Sequence, residues 1–152
     1  MADIAKCMDT IRQGVFIVGT KMQEGSNFMT AAFVTQISFN PCSLAVSVAD
    51  DHYTAELIAE QKEFTLSVLA EGQELEAKSC GYQSGRKFDK ASRVKHSMTK
   101  HGIPVVDSSA AWMYCKVKQV VHYIDHTIFI AEIADGDCTD AAPMVYDSKE
   151  FF

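Results

Sequence analysis

Asn27-Phe28-Met29-Thr30-Ala31-Ala32-Phe33-Val34-Thr35-Gln36-Ile37-Ser38-Phe39-Asn40-Pro41-Cys42-Ser43-Leu44-Ala45-Val46-Ser47-Val48 is the stretch on which the reading of this chain turns. It holds two β-type runs on either side of Pro41, and proline, which cannot donate to a ladder, marks a turn or an edge rather than a central strand. Thr30, Ala31 and Ala32 form a small-residue step between bulky neighbours, so a flat ligand can approach the backbone there. Thr30, Thr35, Gln36 and Ser38 set hydrogen-bonding groups among apolar residues. Buried polar groups require partners, so these either satisfy the backbone of a barrel corner or meet a ligand.

Outward from this stretch, the alternation of short runs and turn residues continues to both ends. Ile4, Cys7, Met8 and Ile11 have the spacing of a short amphipathic helix packed on the barrel or on a partner. Val15 to Thr20 is β-branched and apolar throughout, which fits a strand buried on both faces, and Lys21 to Ser26 reads as a hairpin turn. Leu44 to Val48 is the next strand. Asp50 and Asp51 are expected N-caps of a helix over 52–62 with Leu57 and Ile58 inward. Phe64 to Leu69 is a strand, and Gln73 to Cys80 a helix closed by Gly81 as a left-handed cap. Tyr82 to Lys90 is the most basic loop, and 91–109 reads as an irregular excursion. From Trp112 to Ile133 the pattern is strand-like, broken near Tyr123 to Asp125, with Tyr114, Lys116 and Lys118 on a wet face. Asp135-Gly136-Asp137 reads as a turn, and Pro143 to Tyr146 as a final short strand.

The 152 residues suit one domain, residues 1–152, too short to hold a separate dinucleotide-binding domain as well. Hydrophobic residues make up 47% and charged residues 22%, an ordinary globular balance. The net charge of −6 argues against nucleic acid, whose binding rests on clustered Lys and Arg. No run approaches the roughly 20 apolar residues of a membrane span. The five cysteines are odd in number and lack any Cys-x-x-Cys spacing, which speaks against a disulfide framework, a zinc site or an iron–sulfur cluster. A reduced, cytoplasmic protein is expected, with no internal repeat.

Chemical motifs are sparse. His122 and His126 have a His-x-x-x-His spacing, but in a β-branched context and without further ligands, so no metal site is expected. No Gly-x-Ser-x-Gly elbow and no Gly-x-Gly-x-x-Gly fingerprint occur. Cys42 is the thiol to test for reactivity, although a small buried apolar role suits it better. The helix start at Tyr53 and Thr54 offers N–H groups and hydroxyls to an anion. The flanking aspartates then require a cation nearby, and Ser84-Gly85-Arg86-Lys87 can supply one together with backbone N–H groups.

Asn27-Phe-Met-Thr30 followed by Ala-Ala-Phe-Val-Thr-Gln-Ile-Ser38-Phe-Asn-Pro41 resembles the signature of the flavin reductase-like family. The likeness recurs at Tyr53-Thr54, Ser84 to Lys87, Asp125-His126 and Pro143 to Tyr146, covering nearly the whole chain. Phe33 stands where many members have Trp, Cys42 where a second Pro is common, and Ile124 where Gly usually precedes Asp-His. The resemblance implies a mainly β FMN-binding split β-barrel, six-stranded or similar, with Greek-key character and a few short helices, forming a homodimer. It implies FMN as cofactor, with Asn27, Met29, Thr30, Ala31, Ala32, Phe33, Gln36, Ile37 and Ser38 around the ring and ribityl chain. Tyr53, Thr54, Ser84, Arg86 and Lys87 would cradle the phosphate. His126, its tautomer held by Asp125, is the candidate catalytic residue beside an incoming NADH or NADPH.

The implied function is an oxidoreductase passing reducing equivalents through flavin to free flavin, rubredoxin, a flavodiiron protein or ferric iron. A non-enzymatic FMN electron carrier served by a redox partner stays open, as does, more distantly, a relative of the pyridoxamine-phosphate oxidases.

Overall fold

Two residues, Ala32 and Phe33, separate the strands that lie at opposite edges of the main sheet, and this decides its shape. The computed structural model describes residues 3–81 and 94–147. In chain order the elements are α1 (Ile4–Asp9), β1 (Phe16–Lys21), β2 (Ser26–Ala31), β3 (Val34–Phe39), β4 (Cys42–Ala49) and α2 (Tyr53–Gln61). There follow β5 (Glu63–Val68), α3 (Glu74–Gly81), β6 (His96–Met98), β7 (Pro104–Val106), β8 (Ala111–Tyr123) and β9 (His126–Cys138). Seven strands pair antiparallel in the order β2-β1-β5-β8-β9-β4-β3, and β6 pairs with β7 separately. Strands about 4.8 Å apart would hold the edges of a flat sheet of this width roughly 29 Å apart, whereas three residue steps reach only about 11 Å. The sheet must therefore roll until β2 and β3 approach, yet no ladder joins them. The result is a barrel split along one seam, as expected, with seven strands rather than six.

The roll encloses one core and leaves another outside. Val18, Met29, Val46, Phe64, Leu66 and Phe129 meet inside the barrel, joined by Ala55 and Ile58 of α2. Ile17 and Phe28, on the opposite faces of β1 and β2, pack instead with Ala77 and Cys80 of α3, Val106 of β7 and Met144. This double burial accounts for the continuously apolar run at Val15 to Thr20. The Thr65 and Ser67 side chains dock the β6–β7 pair through Pro104 O (2.7 Å) and Val106 N (3.0 Å).

Several local expectations give way to tertiary structure. The N-cap of α2 is His52, without a side-chain cap, because Asp50 is taken up by Thr127 Oγ1, which donates to its Oδ1 at 2.5 Å. Gly81 is the last residue of α3 rather than a cap beyond it. The supposed excursion contains the β6–β7 pair. Tyr114 is buried, not wet: Met113, Cys115 and Val117 face the barrel core, and Tyr114, on the other face of β8, is covered by the His101 ring stacked on it. Asp135, Gly136 and Asp137 continue β9. A Cβ on Gly136 would stand 2.6 Å from Trp112 O, so glycine serves close strand approach there, not a turn. Pro143 and Val145 make isolated bridges to Ala70 and Gly14, and α1 buries none of its residues. Among the described residues no helix is long and apolar enough to cross a membrane.

Candidate functional site

Where β2 leaves the sheet to cross the seam, its last residues open into a cleft of about 200 Å³. Thr30, Ala31, Ala32 and Phe33 form one wall. Ser47, Val48 and Ala49 of β4 line it as well. Ala77, Lys78 and Gly81 present one face of α3, and His52, His126 and Tyr146 stand at the remaining sides. The Thr30 hydroxyl donates to Ala77 O at 2.6 Å, seating α3 on the small-residue step. With its one hydrogen committed, the Thr30 oxygen keeps lone pairs for a donor inside the cleft. Burial, with Asp9 and Asp147 adding to it, pushes the Tyr146 phenol up, so it stays protonated.

The second working part is the β8–β9 corner. His126 Nδ1 lies 2.8 Å from Asp125 Oδ1, and this bond holds the Asp125 carboxyl below its ordinary range. With Nδ1–H donated to Asp125, Nε2 is the ring nitrogen left for a ligand. The Phe33 ring lies 5.8 Å from the His126 ring, centroid to centroid, tilted by 37°. Ile124 takes a left-handed φ of 55°, adopting the backbone of the glycine usual at this point despite its branched side chain, a strain of about 1–3 kcal/mol. The corner is tied to β4 by Asp50 N donating to Asp125 O (3.0 Å). Since Thr127 gives its only hydroxyl hydrogen to Asp50, its 3.0 Å contact with His122 Nδ1 requires that nitrogen to be the donor.

Thus a mostly apolar cleft holds an acceptor at Thr30 and an oriented imidazole at His126, at a barrel seam crossed by the Asn27-to-Pro41 signature. The model of the flavin reductase like domain matches residues 8–152. The chain belongs to that family. This flavin reductase-like chain is 30% identical over 144 residues to the high molecular weight rubredoxin of Moorella thermoacetica, covering 93% of this chain and 63% of that protein. It therefore spans less than two thirds of that relative's length. Among solved structures, a flavin reductase in its native state is 26% identical with a TM-score of 0.83, covering 96% of this chain and 94% of its own. The NADH:FAD oxidoreductase of Streptomyces globisporus is 23% identical with a TM-score of 0.88, covering 95% and 87%. These structures share the split-barrel fold.

Within the family member's own geometry, the residues singled out by sequence fall into four groups. Met29, Thr30, Ala31, Ala32, Phe33 and His126 line the cleft together. Asn27, 1% exposed, lies behind it, its Nδ2 donating to Thr54 Oγ1 (2.8 Å) and Thr20 Oγ1 (3.3 Å). Asn27 and Thr54 thus meet each other, with Tyr53 opening α2 beside them. Gln36, Ile37 and Ser38 lie on β3 away from the cleft, across a register shift, where Gln36 Nε2 donates to Ser38 O at 3.2 Å. Ser84, Arg86 and Lys87 lie outside the described residues. Sequence reasoning did not assign Ser47, Ala49, His52 or Lys78 to the site. The spacing of Ala77, Lys78 and Gly81, which puts all three on one helix face, was the available signal for α3.

The described residues fit a flavin ring: Thr30, Ala31 and Ala32 would leave room for it, Val48 and Phe33 would add apolar surface, and the Thr30 oxygen could accept a hydrogen bond. At about 200 Å³ the cleft is smaller than the roughly 300–1,000 Å³ of a pocket enclosing a whole ligand. It suits the ring with the ribityl phosphate running outside. Among the described residues no cluster of His, Cys, Asp and Glu could hold a metal.

Proposed function

We propose that this chain binds FMN with its ring against Thr30–Ala32, takes reducing equivalents from NADH or NADPH, and passes them to an acceptor. The observation that carries the reading is the convergence of Thr30, Ala31, Ala32 and Phe33 with His126 in one cleft. Bound flavin would supply the redox chemistry, and the chain supplies position and electrostatics. Thr30, which donates to Ala77 O, would accept a hydrogen bond from the ring edge. Ala31 and Ala32 allow contact with the backbone. His126, oriented by Asp125, offers Nε2 to the flavin edge or to the nicotinamide carboxamide, and Phe33 limits water at that side. Tyr53 and Thr54, with Ser84, Arg86 and Lys87, are proposed as the phosphate cradle.

The acceptor proposed is a redox protein of the rubredoxin or flavodiiron kind, with free flavin and ferric iron as alternatives. The name of the Moorella relative and its greater length support a rubredoxin partner. Half-exposed Phe33 and exposed Ile37, Val121 and Tyr123 on β3 and β8 support a homodimer. Five free cysteines suit a reducing cytoplasm.

The test is reconstitution with FMN followed by anaerobic addition of NADH or NADPH. A yellow protein that bleaches within seconds supports the reading. A protein that holds FMN but is not bleached by either nucleotide is an electron carrier, and one that binds no FMN refutes the cofactor.

A further inference from the structure

Lys78 is the one side chain with a permanent charge among the described residues lining the cleft. It stands in the last turn of α3, where the carbonyl ends of a helix carry partial negative charge. Those carbonyls alone would make this side of the cleft unfavourable to an anion. Lys78 reverses that sign, and among the described residues it forms no ion pair with a carboxylate. Its neighbour Ala77 accepts the Thr30 hydroxyl at 2.6 Å, and a Cβ on Gly81 would lie 3.6 Å from Thr30. Of the residues flanking Lys78 on its helix face, Ala77 is therefore bonded to the step proposed to carry the ring, and Gly81 faces it. Mostly apolar walls strengthen any charge interaction inside.

Hydride transfer from a dihydronicotinamide brings two electrons and one proton. A neutral oxidised ring therefore becomes a singly negative reduced ring unless a second proton follows, and the nicotinamide leaves oxidised. We propose that Lys78 makes this cleft hold reduced flavin more tightly than oxidised flavin, by answering the negative charge that reduction places on the ring. The inference rests on the flavin reading above and goes beyond it, because it assigns a residue to the redox balance of the bound cofactor. Charge near the ring is one of the means by which a protein sets flavin electronics.

The experiment measures dissociation constants for oxidised and reduced flavin, anaerobically and at a pH where the reduced ring is ionised, using FMN and riboflavin with wild type, Lys78→Met and Lys78→Arg. Lys78→Met is expected to lower the preference for the reduced form about tenfold, a fall of about 30 mV in the two-electron midpoint potential. Lys78→Arg should keep most of the preference, and riboflavin should show the same change as FMN. A loss confined to FMN and equal in both redox states would assign the cation to the phosphate and overturn the proposal. So would an unchanged ratio in Lys78→Met with normal FMN binding. Wild type binding neither flavin in either state would overturn the cofactor reading and this inference with it.

Discussion

Two histidine–aspartate pairs of nearly equal length sit in very different surroundings. His126 Nδ1 and Asp125 Oδ1, adjacent in sequence, are 2.8 Å apart at the cleft. His101 Nε2 and Asp135 Oδ2, distant in sequence, are 2.9 Å apart near the other end of β9. The His101 ring stacks on buried Tyr114 at 3.7 Å and 3°. Lys100 approaches Asp135 at 3.7 Å, Tyr114 OH donates to Glu63 Oε1 at 3.3 Å, and Lys21 Nζ stands 3.4 Å from that same oxygen. In the second pair a ring face and the neighbouring charges are already engaged. In the first, one nitrogen is fixed by its aspartate and the ring belongs to a residue that lines a cleft. Equal bond lengths therefore carry no functional message; what differs is the unused valence beside a space large enough for a ligand.

The largest expected effect breaks the cleft itself. Thr30→Arg fills the small-residue step and removes the bond to Ala77, and flavin affinity should fall more than about 100-fold, some 2.7 kcal/mol, read by flavin fluorescence. Full flavin content in that variant would mean the ring lies elsewhere. His126→Ala should slow reduction by NADH about tenfold at saturating FMN, about 1.4 kcal/mol in the barrier, while melting temperature stays close to wild type. A rate within twofold would place His126 outside the chemistry, on a par with His101.

His101→Ala should do the converse. Loss of the Tyr114 stack costs about 0.5–1.5 kcal/mol, or roughly 1–6 °C in melting temperature for a chain of this size, with FMN affinity unchanged. If flavin binding moved as much as stability, the separation of the two pairs would be wrong. The smallest effect is in acid. The hydrogen bond from His101, helped by the Gly136 N–H and Lys100, holds Asp135 below its ordinary range. A lowered folded-state value gives stabilisation that is present above the ordinary carboxylate pKa of about 4 and is lost as pH falls through the folded value. The melting-temperature advantage of wild type over Asp135→Asn should therefore shrink as pH drops through that window, and an advantage constant with pH would contradict it.

What could be read from sequence divides along the same line between local and distant causes. Local patterns were sufficient for β1, whose unbroken apolar run reflects two cores, and for α2, whose Leu57 and Ile58 face inward as their spacing requires. They were sufficient, too, to group Thr30, Ala31, Ala32 and Phe33, which line one cleft, because these residues are contiguous. They failed where partners came from elsewhere. Tyr114 reads as a wet-face residue, and it does lie on the face opposite Cys115, but His101 stacks over it and buries it. Asp135-Gly136-Asp137 has turn chemistry, yet its glycine is needed because Trp112 O approaches from the neighbouring strand. Asp50 looks like a cap, but Thr127, 77 positions away, claims its carboxylate. His52 and Lys78 reach the cleft only through the docking of α2 and α3, which no window of sequence displays.

The most direct test is a crystal structure of the protein grown with FMN. The flavin ring is expected in van der Waals contact with Thr30, Ala31 and Ala32, within hydrogen-bond reach of the Thr30 oxygen, and bordered by Phe33 and His126. A ring bound away from that step, or FMN held only by its phosphate with the cleft empty, would contradict it.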